Sequence, residues 1–343
     1  MYTEQRPLLS NVILLLLLLV SCAIVLFSLS TAHASTSDSS QKKIGISQIV
    51  EHSALNIVRQ SMIEALKEQG FENGKNLTIL YENAHGNLAT SIQIATKLTS
   101  IPLDVAIAIS TPSAQTLLHA AQKQDSHLPI VFTAVTDPKS AKLDPENAHY
   151  PITGITDAPD LNGLLELLKK LMPKLKTLGL MYNPSEVNSV NTVTQLKLLL
   201  LKEGIATVEV PVNVTNDIPQ AIQSLAGKAD ALYFPQDNTV YAALPTVLNK
   251  AAQISPALPV IVPVATEDPA LLQNALVAIG YDYRDIGKAT GELVVKILNG
   301  EDASQIPIQS PPIQKVIINE TLVKKLNLTI PSTLNFAEIK LFK

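Results

Sequence analysis

The chain has 343 residues, enough for two domains of ordinary size, and an apolar fraction of 46% against 16% charged can fill two cores. A net charge of −4 without a basic stripe argues against a nucleic-acid partner, because phosphate binding needs clustered Lys and Arg. The single cysteine, Cys22, lies in an N-terminal apolar run, which excludes an internal disulfide and a multi-thiolate metal site.

Val12 to Ser28 is almost wholly apolar, is preceded by Arg6, and is followed by Ala32-His33-Ala34. Small residues at the first and third places before Ser35 fit a signal-peptidase site, so residues 1–34 read as a signal peptide and 35–41 as a flexible tether. Two other readings stand beside this one. The run is long enough to serve as an uncleaved anchor. Leu19-Val20-Ser21-Cys22 also resembles a lipoprotein box, although apolar residues continue for five places beyond the cysteine. All three readings export the rest of the chain to a periplasmic or other extracytoplasmic space.

From Lys42 onward, short apolar runs alternate with amphipathic stretches, which predicts successive βα units and a parallel sheet. Strands are expected at Lys43–Gln48, Leu77–Tyr81, Val105–Ile109 and Ile130–Phe132, with helices at Leu55–Gln69, Leu88–Leu98 and Ser113–Ala121. The first helix carries Leu55, Val58, Met62 and Leu66 at helical spacing and stops at Gly70.

The pattern then restarts. Lys176-Thr-Leu-Gly-Leu echoes Lys43-Ile-Gly-Ile, Gly204 echoes Gly70, and Asp230-Ala-Leu-Tyr-Phe echoes Asp104-Val-Ala-Ile-Ala. LPIVFTAVTDP from Leu128 matches LPVIVPVATEDP from Leu258. The offsets run from 126 to 134 residues with order preserved. The expected fold class is therefore α/β, with two doubly wound parallel-sheet lobes joined by crossing strands. A (β/α)8 barrel also alternates, but it would not restart with a whole-lobe period.

The linker Asp144–Asp160 holds three prolines and a β-like piece, Ile152–Thr156, read as a crossing. Gly280–Asp285 is read as a return, so that helix Ile286–Leu298 packs in the first lobe, and strand Lys315–Asn319 as a further crossing. These readings assign 42–154 with about 283–312 to lobe 1, and 155–282 with about 313–343 to lobe 2.

In doubly wound sheets, ligands sit beyond the carboxyl ends of the strands. Ser110-Thr111-Pro112-Ser113 opens a helix there, and its hydroxyls and free N–H groups suit a carboxylate or phosphate; the plainer reading is an ordinary helix cap. In the second half, Asp237 within Pro235-Gln236-Asp237-Asn238-Thr239 and Asp282 within Gly280-Tyr281-Asp282-Tyr283 are the candidate acceptors for an ammonium group, with capping again the alternative. Tyr182-Asn183-Pro184-Ser185-Glu186 reads as an Asn-Pro turn before a capped helix. Tyr81, Tyr182, Tyr281 and Tyr283 are candidates for stacking on a ring, or for packing. Hydroxyls and a helix start in one half, with acids and amides in the other, suit a zwitterion such as an amino acid.

No nucleophile elbow, P-loop or dinucleotide fingerprint occurs, and the histidines at 33, 52, 85, 119, 127 and 149 form no tight ligand pair. No enzyme activity, metal or cofactor is therefore expected.

KIGISQIVEHSALN, LYENAHGN, AISTPSAQ, FTAVTDP, TGITD, MYNPSEVNSV, FPQDNTV and GYDYRDIGKATGELVVKILNG occur in this order. Together they resemble the ABC-transporter substrate-binding family that includes tryptophan- and tyrosine-binding members, from about Lys42 to Pro331. The resemblance implies a type I periplasmic-binding-protein fold, three crossing strands, and hinge closure over a small ligand delivered to permease subunits with their ATPase. It implies ligand contacts from Gln48 to Glu51, Asn83 and Ala84, Ser110, Thr111 and Ser113, and Thr136 and Asp137. In the second half it implies Tyr182, Asn183, Ser185, Glu186, Asn188, Ser189, Asp237, Asn238 and Asp282. The sequence departs from the family at His85, where many relatives carry a Gln-like residue, and at Pro245, read as a helix kink. The expected protein is a monomer that binds a small zwitterion, aromatic or branched, with the first half gripping the anionic end and the second half the cationic end. A membrane-anchored sensor ectodomain and an exported small-molecule enzyme are the alternatives.

Overall fold

The computed structural model describes residues 41–144, 149–266, 268–311 and 314–343. The N-terminal run read as a signal peptide lies outside them. Strands β1 (Lys42–Gln48), β2 (Leu77–Asn83), β3 (Val105–Ile109), β4 (Ile130–Val135) and β5 (Ile152–Thr156) form one parallel sheet in the order β2-β1-β3-β4-β5. Strands β6 (Thr177–Tyr182), β7 (Ala206–Pro211), β8 (Ala231–Tyr233), β9 (Val260–Val262) and β10 (Val277–Gly280) repeat that order as β7-β6-β8-β9-β10 in a second sheet. This sheet continues through β11 (Lys315–Asn319), antiparallel to β10, and β12 (Glu338–Phe342), parallel to β11. The repeat read from the sequence is thus a repeat of topology, and two open sheets rather than one closed ring carry the fold.

The helices are α1 (Ser53–Glu68), α2 (Leu88–Ser100), α3 (Thr111–Gln124), α4 (Leu161–Leu171), α5 (Val187–Lys202), α6 (Ile218–Leu225), α7 (Asn238–Ala242), α8 (Leu244–Gln253), α9 (Pro269–Leu272), α10 (Tyr283–Leu298) and α11 (Glu320–Lys325). With helices on both faces, β3 is buried at every residue, as a Val/Ala/Ile run in a parallel sheet requires. Helix α1 buries Leu55, Val58, Met62 and Leu66, the stripe its spacing predicts. It starts two residues earlier than expected because the His52 ring accepts from Leu55 N and caps it. Helix α3 likewise begins at Thr111, ahead of the expected Ser113, because Pro112 is preset for a first helical turn. Pro245 does more than kink a helix. The chain ends α7 at Ala242 and starts α8 at Leu244, with the proline in the new first turn.

Ile152–Thr156 is an edge strand of the first sheet, and the chain leaves that sheet only after Asp157. It returns just after β10, and α10 then lies against α1. The approach is very close: a Cβ on Gly287 would stand 2.4 Å from the Val58 carbonyl oxygen, and one on Gly291 would stand 2.6 Å from Ala65 Cβ. A third crossing runs beside the first. Thr156 N donates to Gln309 O at 2.8 Å, and Gln314 Nε2 donates to Ala158 O at 3.0 Å. No helix among the described residues is long and apolar enough to cross a membrane.

Candidate functional site

The loops beyond the carboxyl ends of the two sheets meet each other directly. At the centre, Ser110 Oγ donates to Asn238 Oδ1 at 3.0 Å, joining the loop after β3 to the equivalent loop after β8. Ser110 is held at φ 81 and ψ 157, a region that almost only glycine enters without strain. Its N–H donates to Thr133 O at 2.8 Å, which fixes the turn. Thr111 and Ser113 are buried behind it at the start of α3, and Ser113 Oγ makes no hydrogen bond with any described residue.

The second lobe presents a denser polar layer. Glu186 is buried and sits in the cap position of α5, yet its carboxylate serves another helix. It accepts from Asn238 N and from Thr239 N and Oγ1, each at 3.1 Å, and from Asn238 Nδ2 at 2.5 Å. Burial, and then the neighbouring Asp237 charge, push the Glu186 carboxyl well above the usual glutamate range. Asp237 caps α7 through Val240 N at 2.9 Å and accepts from Asn183 N at 2.7 Å. Burial raises its pKa, and hydrogen bonds from the Asn183 backbone and Ser189 oppose the rise. Asn183 Nδ2 reaches Thr239 Oγ1 at 2.8 Å, and Asn188 Nδ2 reaches Gln236 O at 2.8 Å. Asn183, Glu186, Asn188, Ser189, Asp237, Asn238 and Ser110 therefore form one connected group.

Other candidates lie apart from it. Gln48 is buried but spends its amide on Val50 O, Asn56 and Arg59. Glu51 is exposed and accepts from Tyr81 OH at 3.2 Å. Asn83 turns its own loop by accepting from His85 N at 2.7 Å, next to the buried Ala84. Tyr182 donates to Glu209 at 2.8 Å. Ser185, though exposed, is tied to the group, its N–H donating to Asn183 Oδ1 at 2.9 Å. Asp282 caps α10 through Arg284 N at 2.9 Å, and its other oxygen lies 3.4 Å from Lys315 Nζ. Thr136 and Asp137 stand at a second point of contact between the lobes, where Asn191 Nδ2 donates to Asp137 and, at 3.0 Å, to Ser140 Oγ. Tyr81 lies under the Arg59 guanidinium, 4.1 Å from the ring centroid.

Five further residues complete the centre. The His52 ring packs against Tyr241 across the cleft, tilted by 44° with ring centroids 4.8 Å apart. Burial drops its pKa to about 3, partly opposed by Asn238, so the ring is neutral. Asp157, at the first crossing, is 1% exposed and accepts from Tyr283 OH at 2.5 Å. Burial raises its pKa, and the Tyr283 and Thr136 hydroxyls oppose that rise. Gln236 reaches the same point. Before the lobes are brought together, nothing but position in the GITD and PQDN strings marks Asp157 or Gln236.

Ser110, Asp157, Gln236, Asn238 and Tyr283 line a central cavity of about 10 Å³, room for about one water molecule. Asn238 also borders a cavity of about 270 Å³ lined on one side by Ile49, Val50, Leu88, Pro112 and Val214 and on the other by polar groups that include His85, Asn183, Glu186 and Thr239. On the opposite side, a cavity of about 410 Å³ lies between Thr136, Asp137, Thr156, Pro159 and Asn191.

The family model described as ABC transporter substrate binding protein matches residues 43–339. The tyrosine-binding protein of Clostridioides difficile (strain R20291) is 37% identical over 313 residues, covering 91% of this chain and 88% of its own. An ABC domain from Streptococcus pneumonia solved in complex with L-Trp is 29% identical and superposes with a TM-score of 0.78, covering 88% of this chain and 100% of its own. A ligand-free, open substrate-binding protein with adhesive properties from Clostridium difficile is 39% identical with a TM-score of 0.62, at the same coverage of 88% and 100%. The structure nearer in sequence thus superposes less well, as a different angle between two rigid lobes would produce. ABC substrate-binding proteins work outside the cytoplasm, handing a ligand to membrane permease subunits driven by an ATPase. Matched along nearly all of its described length and built as two topologically repeated lobes, this chain has the type I periplasmic-binding-protein fold and belongs to the ABC transporter substrate-binding protein family.

Proposed function

We propose that the protein captures a small amino acid with an aromatic side chain between its lobes by hinge closure and presents it to an ABC permease. One observation carries this reading: the start of α3, with Ser110, Thr111 and the unpartnered Ser113 hydroxyl, faces a lobe lined by carboxyls and amides. The helix start suits the ligand carboxylate. The Ile49, Val50, Leu88 and Pro112 side of the 270 Å³ cavity suits its side chain. The L-Trp complex and the tyrosine-binding relative support the aromatic choice. Entry of a ligand requires the Ser110–Asn238, His52–Tyr241 and Asp137–Asn191 contacts to part, which makes lobe opening part of the cycle.

Charge-assisted hydrogen bonds of about 1.5–3 kcal/mol each, with about 4–5 kcal/mol for a buried ring, cover the roughly 8 kcal/mol of a micromolar site after closure costs. The test is thermal unfolding and calorimetry with L-tyrosine, L-tryptophan, L-phenylalanine and L-leucine. At a hundredfold excess over Kd, the preferred ligand adds about 2.7 kcal/mol of stability. No stabilisation by any of the four would overturn the reading.

A further inference from the structure

Two open sheets have four edges, and the chain treats them differently. The outer edge of β5 is covered, since Gln309 O accepts from Thr156 N at 2.8 Å and Gln309 N donates to Gly154 O at 2.9 Å. No β2 side chain is more than partly exposed. β7 ends in Pro211, and its Glu209 is tied to Tyr182 and Lys197, which blunts that edge. The outermost strand β12 pairs with β11 alone among the described residues. It carries Ile339 and Leu341, 40% and 49% exposed, the only large apolar side chains exposed on a strand among those residues. They share one face, and Glu338 and Lys340 share the other, because strand side chains alternate. An open edge with exposed apolar side chains is a template for another strand.

A second copy of this chain fits that edge, and the charges choose the register. Two like strands pair antiparallel about a two-fold axis normal to the sheet, so residues equally far from the axis face each other. With the axis at Lys340, lysine faces lysine, and with the axis at Leu341, Lys340 faces Phe342. With the axis at Ile339, Glu338 of each copy faces Lys340 of the other, Ile339 meets Ile339, and Ala337 meets Leu341. Opposite charges facing across a strand pair stabilise it, and like charges oppose it. A lone lysine on an edge discourages pairing, but an acid two residues before it makes the same edge self-complementary. Within one chain Lys340 Nζ lies 3.1 Å from Glu338 and Lys315 Nζ lies 3.8 Å from it, so the second copy extends a charge network already in place. From this edge we infer that two copies associate through β12, antiparallel about Ile339, into one continuous sheet. The monomer expected above is then the dilute form. β12 leads away from the cleft loops, because β11 reverses direction after β10 and β12 follows β11, so the pairing edge is separate from the ligand site.

Sedimentation velocity on the whole protein should show a reversible dimer with a Kd of about 0.1 mM, weak because one short strand pair buries little area. E338K and K340E each set like charges face to face at both symmetric pairs, and each should weaken the dimer by about tenfold or more. Mixed in equal amounts, the two variants again oppose unlike charges and should form a mixed dimer within about threefold of the wild-type Kd. I339E sets like charges together on the axis itself; it should weaken the dimer by at least about tenfold, and it carries the test if E338K does not fold. Wild-type protein that stays monomeric at about 1 mM overturns the proposal. Single variants that dimerise like wild type, or a mixture that stays monomeric, overturn it as well. None of these outcomes touches the receptor reading.

Discussion

His52 and Glu186 occupy equivalent places in the two lobes, each at the start of the helix that follows the first strand of its sheet. One is a base and the other an acid, and burial drives both toward neutrality, lowering the imidazole and raising the carboxyl. Both press on α7: His52 through Tyr241, and Glu186 through Asn238 and Thr239. The repeated scaffold thus supplies two matched positions, and the sequence fills them with side chains that grip one short helix from opposite sides of the cleft. The difference is that His52 grips across the cleft, whereas Glu186 grips within its own lobe.

The strongest test of that asymmetry is Glu186→Ala, which strips four hydrogen bonds from the start of α7. It should cost about 3 kcal/mol in urea unfolding, and a loss below about 1 kcal/mol would show that α7 does not depend on this carboxyl.

The two residues should also shape opposite arms of the pH–stability curve. His52 titrates near 3 folded against 6.5 unfolded, so its contribution is complete above pH 6.5 and is lost as pH falls toward 3. At pH 5 the loss should reach about 2 kcal/mol, and His52→Asn should flatten that arm while keeping the cap. Glu186 shifts the other way, so folded protein keeps a proton that unfolded chains release above the ordinary glutamate value. Its contribution is present in acid and declines as pH rises through that window, and Glu186→Gln should flatten this decline. Parallel curves for wild type and either variant would refute the corresponding half of the comparison.

A smaller effect belongs to the central contact. Ser110→Ala removes the bond to Asn238 and keeps the strained backbone, whereas Ser110→Gly removes both. The glycine variant should be the more stable of the two by about 1 kcal/mol. Equal unfolding midpoints would show that the φ of 81 stores no strain. The smallest effect expected is at the second contact. Asn191→Ala should weaken closure by about 0.5 kcal/mol, read as a roughly twofold loss in ligand affinity, because that contact is partly open to solvent. A tenfold loss would move the centre of the site toward Asp137.

Much of the frame was legible from the chain alone. Apolar runs such as Val105–Ile109 identify buried strands without neighbours, and the spacing of Leu55, Val58, Met62 and Leu66 identifies the covered helix face. The site was legible only in outline. Ser110 and Asn238 were both singled out, yet their meeting depends on how two loops 128 residues apart are brought together. Asp237 has the residue type and place of a ligand acceptor and also of a helix cap; the two backbone N–H groups on its oxygens are visible only in three dimensions. Asp157 closes a short strand and resembles any turn aspartate until Tyr283, 126 residues later, is set against it.

The contact between α1 and α10 bears on the order in which the molecule is made. Val58 meets Gly287 across more than two hundred residues of intervening chain, and the whole of β6 to β10 lies between them. As the chain emerges from its N-terminal end, the second sheet's parallel strands are all available before the first lobe receives its last helix. The lobe that is begun first is therefore completed after its neighbour's five-stranded core. Until then the face of α1 that receives Gly287 and Gly291 is uncovered, which is the interval in which a nascent chain most needs protection from aggregation.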